Sequence, residues 1–120
     1  MGWFSRRRES KAGSDYSTID SRRQLSRLAR AGELVPLLLL PEIFGGDARD
    51  ENVVFVPPFA ANRKSEIDEQ LIGPLAGEGK VTNYNAEPIY AGTSFVPTAI
   101  VVHAYGASTV HETIPIWGHD

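Results

Sequence analysis

The sequence contains no cysteine, which excludes disulfides, thiol chemistry and cysteine-based metal sites. It also lacks a long apolar run. The longest, residues 35–40, is interrupted by Pro36 and falls far short of the roughly 20 residues of a membrane-spanning helix. Histidine is scarce: His103, His111 and His119 all lie near the C-terminus, with no i, i+4 pair to hold zinc. Neither Gly-x-x-x-x-Gly-Lys nor Gly-x-Gly-x-x-Gly occurs, so no phosphate-cradling loop is expected. No Gly-x-Ser-x-Gly elbow frames Ser94 or Ser108 as a nucleophile. The N-terminal Met1-Gly2-Trp3-Phe4-Ser5-Arg6-Arg7-Arg8 has charge but no apolar stretch behind it, so a secretion signal is not expected. Arg6 stands where myristoylation wants serine or threonine. A cytoplasmic address is the resulting expectation.

What is present is an uneven distribution of charge. Residues 1–30 carry eight Lys/Arg and three acids, a net of +5, while the remaining 90 carry four and twelve, a net of -8. An acidic body repels phosphate backbones and attracts basic proteins, so nucleic acid is not the expected partner. A length of 120 residues supports one core. Residues 1–14 are polar and arginine-rich and are expected to form a disordered basic arm ahead of a single domain over 15–120. Trp3 and Phe4 beside the arginines leave room for weak membrane-surface contact by residues 3–8.

The chain is organised around residues 34–58, where two apolar runs flank a glycine-containing acidic loop. Residues 37–40 and 53–56 each read as a strand covered on both faces. Residues 17–31 read as a helix: Ser21-Arg22-Arg23-Gln24 fits a capping box and Gly32 stops it. Leu25, Leu28 and Ala29 form its apolar stripe, and Arg23, Arg27 and Arg30 a solvated face. A second helix is expected over 65–76, capped by Ser65, with Ile67, Leu71, Ile72 and Leu75 buried and Gly73-Pro74 kinking or ending it. Residues 80–86, 95–105 and 112–117 read as strands, with 87–92 a connector and Pro115 marking an edge. The order α-β-β-α-β-β-β predicts an α+β fold: a mainly antiparallel sheet of about five strands with two helices.

Several chemistries can be tested against these residues. Asp47, Asp50 and Glu51 share one loop but lack the EF-hand spacing. Gly45-Gly46-Asp47, Glu51-Asn52-Val53-Val54 and Asn62 are similar to parts of the ββα-metal nucleases. Those enzymes need a histidine before this loop, and none precedes His103. Catalytic residues, metal ligands and cofactors are therefore not expected. The alternative is a small metal-dependent hydrolase or nuclease-like enzyme using the loop carboxylates and a C-terminal histidine. The remaining constellation is a binding surface. Glu42, Asp47, Asp50, Glu51 and Glu87, with Tyr84 and Tyr90, are the candidate partner-binding residues, joined by the acids Glu66, Asp68, Glu69 and Glu78. Carboxylates steer a basic partner and tyrosine rings bury area against it.

Four stretches carry a resemblance: Leu37-Leu38-Leu39-Leu40-Pro41-Glu42-Ile43-Phe44-Gly45-Gly46, Asn52-Val53-Val54-Phe55-Val56-Pro57-Pro58, Glu78-Gly79-Lys80-Val81-x-x-Tyr84 and Ser94-Phe95-Val96-Pro97. Together they resemble small uncharacterised bacterial proteins found near polymorphic toxin and immunity genes. The resemblance implies a cytosolic binder that blocks a cognate toxin, and it carries over no catalytic residue; with the charge pattern, the expectation is a non-enzymatic module with a basic protein partner.

Overall fold

In a computed structural model, residues 15–118 are described; the basic arm at 1–14, His119 and Asp120 lie outside them. The first helix among the described residues is α1 (Arg22–Arg30). The Ser21 side chain accepts a hydrogen bond from the Gln24 backbone N–H, as the capping box requires. The Gln24 carboxamide oxygen in turn accepts from the Asp20 N–H. Gly32, at φ 77, turns the chain away just past the helix, a conformation that costs glycine nothing. Leu25 and Leu28 pack on the core, and Arg23, Arg27 and Arg30 face solvent.

Strands β1 (Val35–Leu38) and β2 (Val53–Val56) pair antiparallel, with Val35 opposite Val56 and Leu38 opposite Val53. They form a separate two-stranded sheet. The expectation that both are covered on two faces is corrected. Val54, Val56 and Leu37 are buried, but Val53, Phe55 and Leu38 are half-buried and Pro36 is exposed. An unbroken apolar run fits an interior strand and a one-sided strand equally well, so pattern alone cannot separate them.

Pro57 and Pro58 do more than stop β2. Pro58 occupies the first position of helix α2 (Pro58–Glu66), where its missing N–H has no helical partner to lose. The helix thus starts well before the expected 65. It continues as a π-helical turn (Ile67–Ile72) and a short helix α3 (Gly73–Gly77). Within the π turn the Gly73 N–H donates to the Asp68 carbonyl, five residues back. Pro74 can donate no hydrogen bond to Gln70 and its ring would crowd that carbonyl, and widening the turn ahead of it relieves both problems. The wider turn also changes the buried face. Ile67 and Ile72, five apart, are buried, whereas Leu71 is exposed and Leu75 only half-buried.

Strands β3 (Val81–Ile89), β4 (Ala99–Gly106) and β5 (Thr109–Pro115) form an antiparallel meander with β4 in the centre. The stretch read as a connector belongs partly to β3, which runs through Pro88. Because β3 is an edge strand, a residue without an N–H is tolerated there. Ile100, Val102 and Ala104 of β4 and Val110 and Ile114 of β5 face the core. They join Val56, Ala60, Ile67 and Ile72 in one apolar cluster. The fold is α+β, with five antiparallel strands in two sheets among the described residues. The ends of the described chain are tied to it by polar contacts. Ser94 Oγ donates to the Tyr16 carbonyl at 2.7 Å, and Trp117 Nε1 donates to the Val96 carbonyl at 2.9 Å.

Glycine is demanded at one further place. A Cβ on Gly46 would run into the Leu40 carbonyl, which the Asn52 side chain holds in position. Gly46→Ala is expected to lower the unfolding free energy by about 1–3 kcal/mol. Urea unfolding followed by circular dichroism measures it.

Candidate functional site

The most unusual chemistry in the chain is a charged pair inside the core. Lys64 and Asp68 stand four residues apart on one helix face, and they are 2% and 3% exposed. Lys64 Nζ donates to Asp68 Oδ2 at 2.6 Å and to the Tyr84 hydroxyl at 2.9 Å. Tyr84 donates to Asp68 Oδ1 at 2.7 Å, and the Leu39 carbonyl lies 3.3 Å from the same hydroxyl. The network therefore ties the helix to β3 and to the segment after β1. Among the described residues no buried side-chain polar atom lacks a partner. Burial holds the Lys64 ammonium below its ordinary value, outweighing the opposite pull of Asp68. Burial, with the hydrogen bond to Asp68, pushes the Tyr84 phenol well above its ordinary value.

Lys64 and Asp68 line a cleft of about 240 Å³ between β1 and the helix. Pro36, Leu38, Pro41 and Ile43 make it apolar on one side. Glu42 and Glu69, both exposed, stand at the same cleft. Phe44 closes the far side of the network by packing on Tyr84, with ring centroids 5.2 Å apart.

The acidic loop adjoins this cleft and has its own internal scaffold. Two short 3₁₀ turns, Glu42–Phe44 and Asp50–Asn52, replace the open loop that the sequence suggests. Asn52 holds them together: Oδ1 accepts from the Leu40 N–H at 2.8 Å, and Nδ2 donates to the Leu40 and Asp47 carbonyls at 2.9 Å. Asp47 is paired inside the loop. Arg49 Nε and Nη2 reach its two carboxylate oxygens at 2.8 and 3.1 Å and hold its carboxyl below the ordinary range. Glu42, Asp50 and Glu51 are exposed and form no ion pair with any described residue.

The structure brings Glu42, Asp47, Asp50 and Glu51 to one loop but separates the remaining candidates from it. Tyr84 points inward into the buried network. Glu87 lies on the opposite, solvent-facing side of β3, and Tyr90 lies beyond its end. Asp68, counted among the surface acids, is instead buried against Lys64. Glu66 reaches Arg63 at 3.4 Å, and Arg63 also approaches Glu112 on β5 at 3.6 Å. His103 and His111 face each other across β4 and β5, with ring centroids 5.3 Å apart. Among the described residues no group of three His, Asp or Glu side chains gathers to hold a metal ion. No helix among them is long and apolar enough to cross a membrane. No protein-family model, curated protein or solved structure matches the chain.

Ser65, a residue suited to an N-cap, follows Lys64 directly, so spacing from Ser65 leaves Lys64 outside the helix that in fact begins at Pro58. The available signal was a lysine and an aspartate at i, i+4 flanking Ile67, downstream of a proline suited to a helix start.

Tyr84 gives the network a pH signature. Its folded value is raised above the ordinary 10.0, so above that pH the folded chain keeps a proton that the unfolded chain loses. The stability due to this hydroxyl is present below pH 10.0 and declines above it. At neutral pH, Tyr84→Phe is expected to cost about 1.5–3 kcal/mol, because the lost bonds involve charged partners. Urea unfolding of both proteins across pH 8–11 checks that the gap narrows on the alkaline side.

Proposed function

We propose that the chain is a non-enzymatic protein-binding module that engages a basic partner through the acidic loop and the adjoining cleft. The observation that carries this reading is the set of exposed carboxylates without ion pairs among the described residues, Glu42, Asp50 and Glu51, displayed on a loop that Asn52 holds in place. A pre-shaped acidic surface limits the ordering cost of binding, and its charge speeds encounter with a cationic partner. Glu69 extends the negative rim to the other side of the cleft, and the apolar wall of Pro36, Leu38, Pro41 and Ile43 offers area to bury. A partner's lysine or arginine would place its charge between Glu42 and Glu69 and its aliphatic stem along that wall.

Immunity to a bacterial toxin in the cytoplasm is the concrete form of this proposal. The loop would occlude the toxin's cationic substrate site, in keeping with the resemblance in residues 34–100. Asp47 contributes less than its neighbours because Arg49 already neutralises it.

Capture of partners from native cytosol is the test. The triple variant Glu42→Gln/Asp50→Asn/Glu51→Gln is expected to lose the partners retained by the wild type, whereas Asp47→Asn is expected to keep them. Retention of every partner by the triple variant contradicts the acidic-loop reading.

A further inference from the structure

We infer that the surface built by α1 and the loop between β3 and β4 docks on an anionic membrane. The inference does not rest on the acidic loop binding a protein. Where β3 gives way to β4, the chain exposes large apolar side chains instead of hiding them. Ile89, Tyr90 and Phe95 are 40%, 49% and 40% exposed. They stand on a fixed frame. The Thr98 N–H and Oγ1 both donate to the Ile89 carbonyl, and Ser94 Oγ accepts from the Val96 N–H. The Phe95 N–H donates to the Ile19 carbonyl at 2.7 Å, which sets this loop beside the start of α1.

Helix α1 supplies the charge. Arg22, Arg23, Arg27 and Arg30 are exposed, and none forms an ion pair with any described residue. Leu25 and Leu28 hold the other side of the helix on the core. Ser94 Oγ donates to the Tyr16 carbonyl, so the arm at 1–14 joins the domain beside the same loop. By sequence the arm adds Arg6, Arg7, Arg8 and Lys11 against Glu9, together with the aromatic pair Trp3-Phe4, and residues 1–30 carry a net of +5. Anionic headgroups attract such a charge, and exposed aliphatic and aromatic side chains next to it sink into the headgroup boundary. Stable attachment takes both contributions, and both meet here. A nucleic acid would satisfy the arginines equally but offers Ile89 no apolar layer to enter, so a bilayer fits the whole surface better.

The full chain is mixed with phosphatidylcholine vesicles, with or without phosphatidylserine, and the bound fraction is read by co-sedimentation. Binding is expected to require phosphatidylserine and to fall steeply as salt is raised. The variant Arg23→Gln/Arg27→Gln/Arg30→Gln is expected to bind about tenfold more weakly or worse. Phe95→Ser protein with native circular dichroism is expected to bind several-fold more weakly. The chain has no cysteine, so a single label can be placed cleanly. An environment-sensitive dye on Thr93→Cys, in the exposed loop, is expected to brighten and shift to the blue with phosphatidylserine vesicles. The same dye on Ala48→Cys, in the acidic loop that such vesicles repel, is expected to stay unchanged. No binding to phosphatidylserine vesicles, binding that the arginine variant keeps in full, or a dye at Thr93 that remains in water overturns the docking surface. Tighter binding to a single-stranded RNA than to the vesicles, unmoved by Phe95→Ser, overturns the membrane as its occupant.

Discussion

The ion pair between Lys64 and Asp68 is the constraint on which the rest of the structure depends. A charged pair taken out of water loses several kcal/mol of hydration per ion, and mutual attraction recovers this only where geometry is good and every remaining polar valence is met. Here the conditions are supplied by three different elements. The helix provides both charges, β3 provides the Tyr84 hydroxyl, and the chain after β1 brings the Leu39 carbonyl to the same point. Displacement of the helix or of β3 leaves a buried charge short of a partner. The network therefore fixes how the two-stranded sheet meets the helix and the three-stranded meander, which apolar contacts alone would specify less sharply.

That junction also shapes the surface. With the segment after β1 anchored, residues 41–52 leave the sheet at a defined place, and Asn52 closes them into two tight turns. Gly46 allows the approach to the Leu40 carbonyl that this closure needs. One pair, Asp47 with Arg49, is spent on the loop itself, and at this exposure contributes little to stability. The other acids are left for solvent or for a partner. Glu42, Glu69 and Lys64 line one cleft.

The sequence made much of this architecture legible. The capping box at Ser21 and Gln24, the stop at Gly32, the strand over residues 53–56 and the apolar core of β4 follow from spacing and turn chemistry alone. The α+β order followed from them. What stayed hidden has identifiable causes. Pro57-Pro58 is both a strand stop and a helix start, and the first meaning alone predicts a later helix. The π turn has no periodic signature, so Leu71 was assigned to the buried face that Ile72 occupies. Asp68 looked like a surface acid because aspartate is seldom buried, and its partner fell just outside the helix as read. The acidic loop was visible as composition, but the pairing of Asp47 with Arg49 needed coordinates.

A double-mutant cycle on Lys64 and Asp68, read as unfolding free energy at neutral pH, tests the central claim directly. Lys64→Met and Asp68→Leu are each expected to cost about 3–5 kcal/mol, because each leaves the other charge buried alone. The double variant, with both charges gone and the volume filled, is expected to recover most of that loss. Two small and additive effects would contradict the account, since the pair would then be incidental to how the elements are held together.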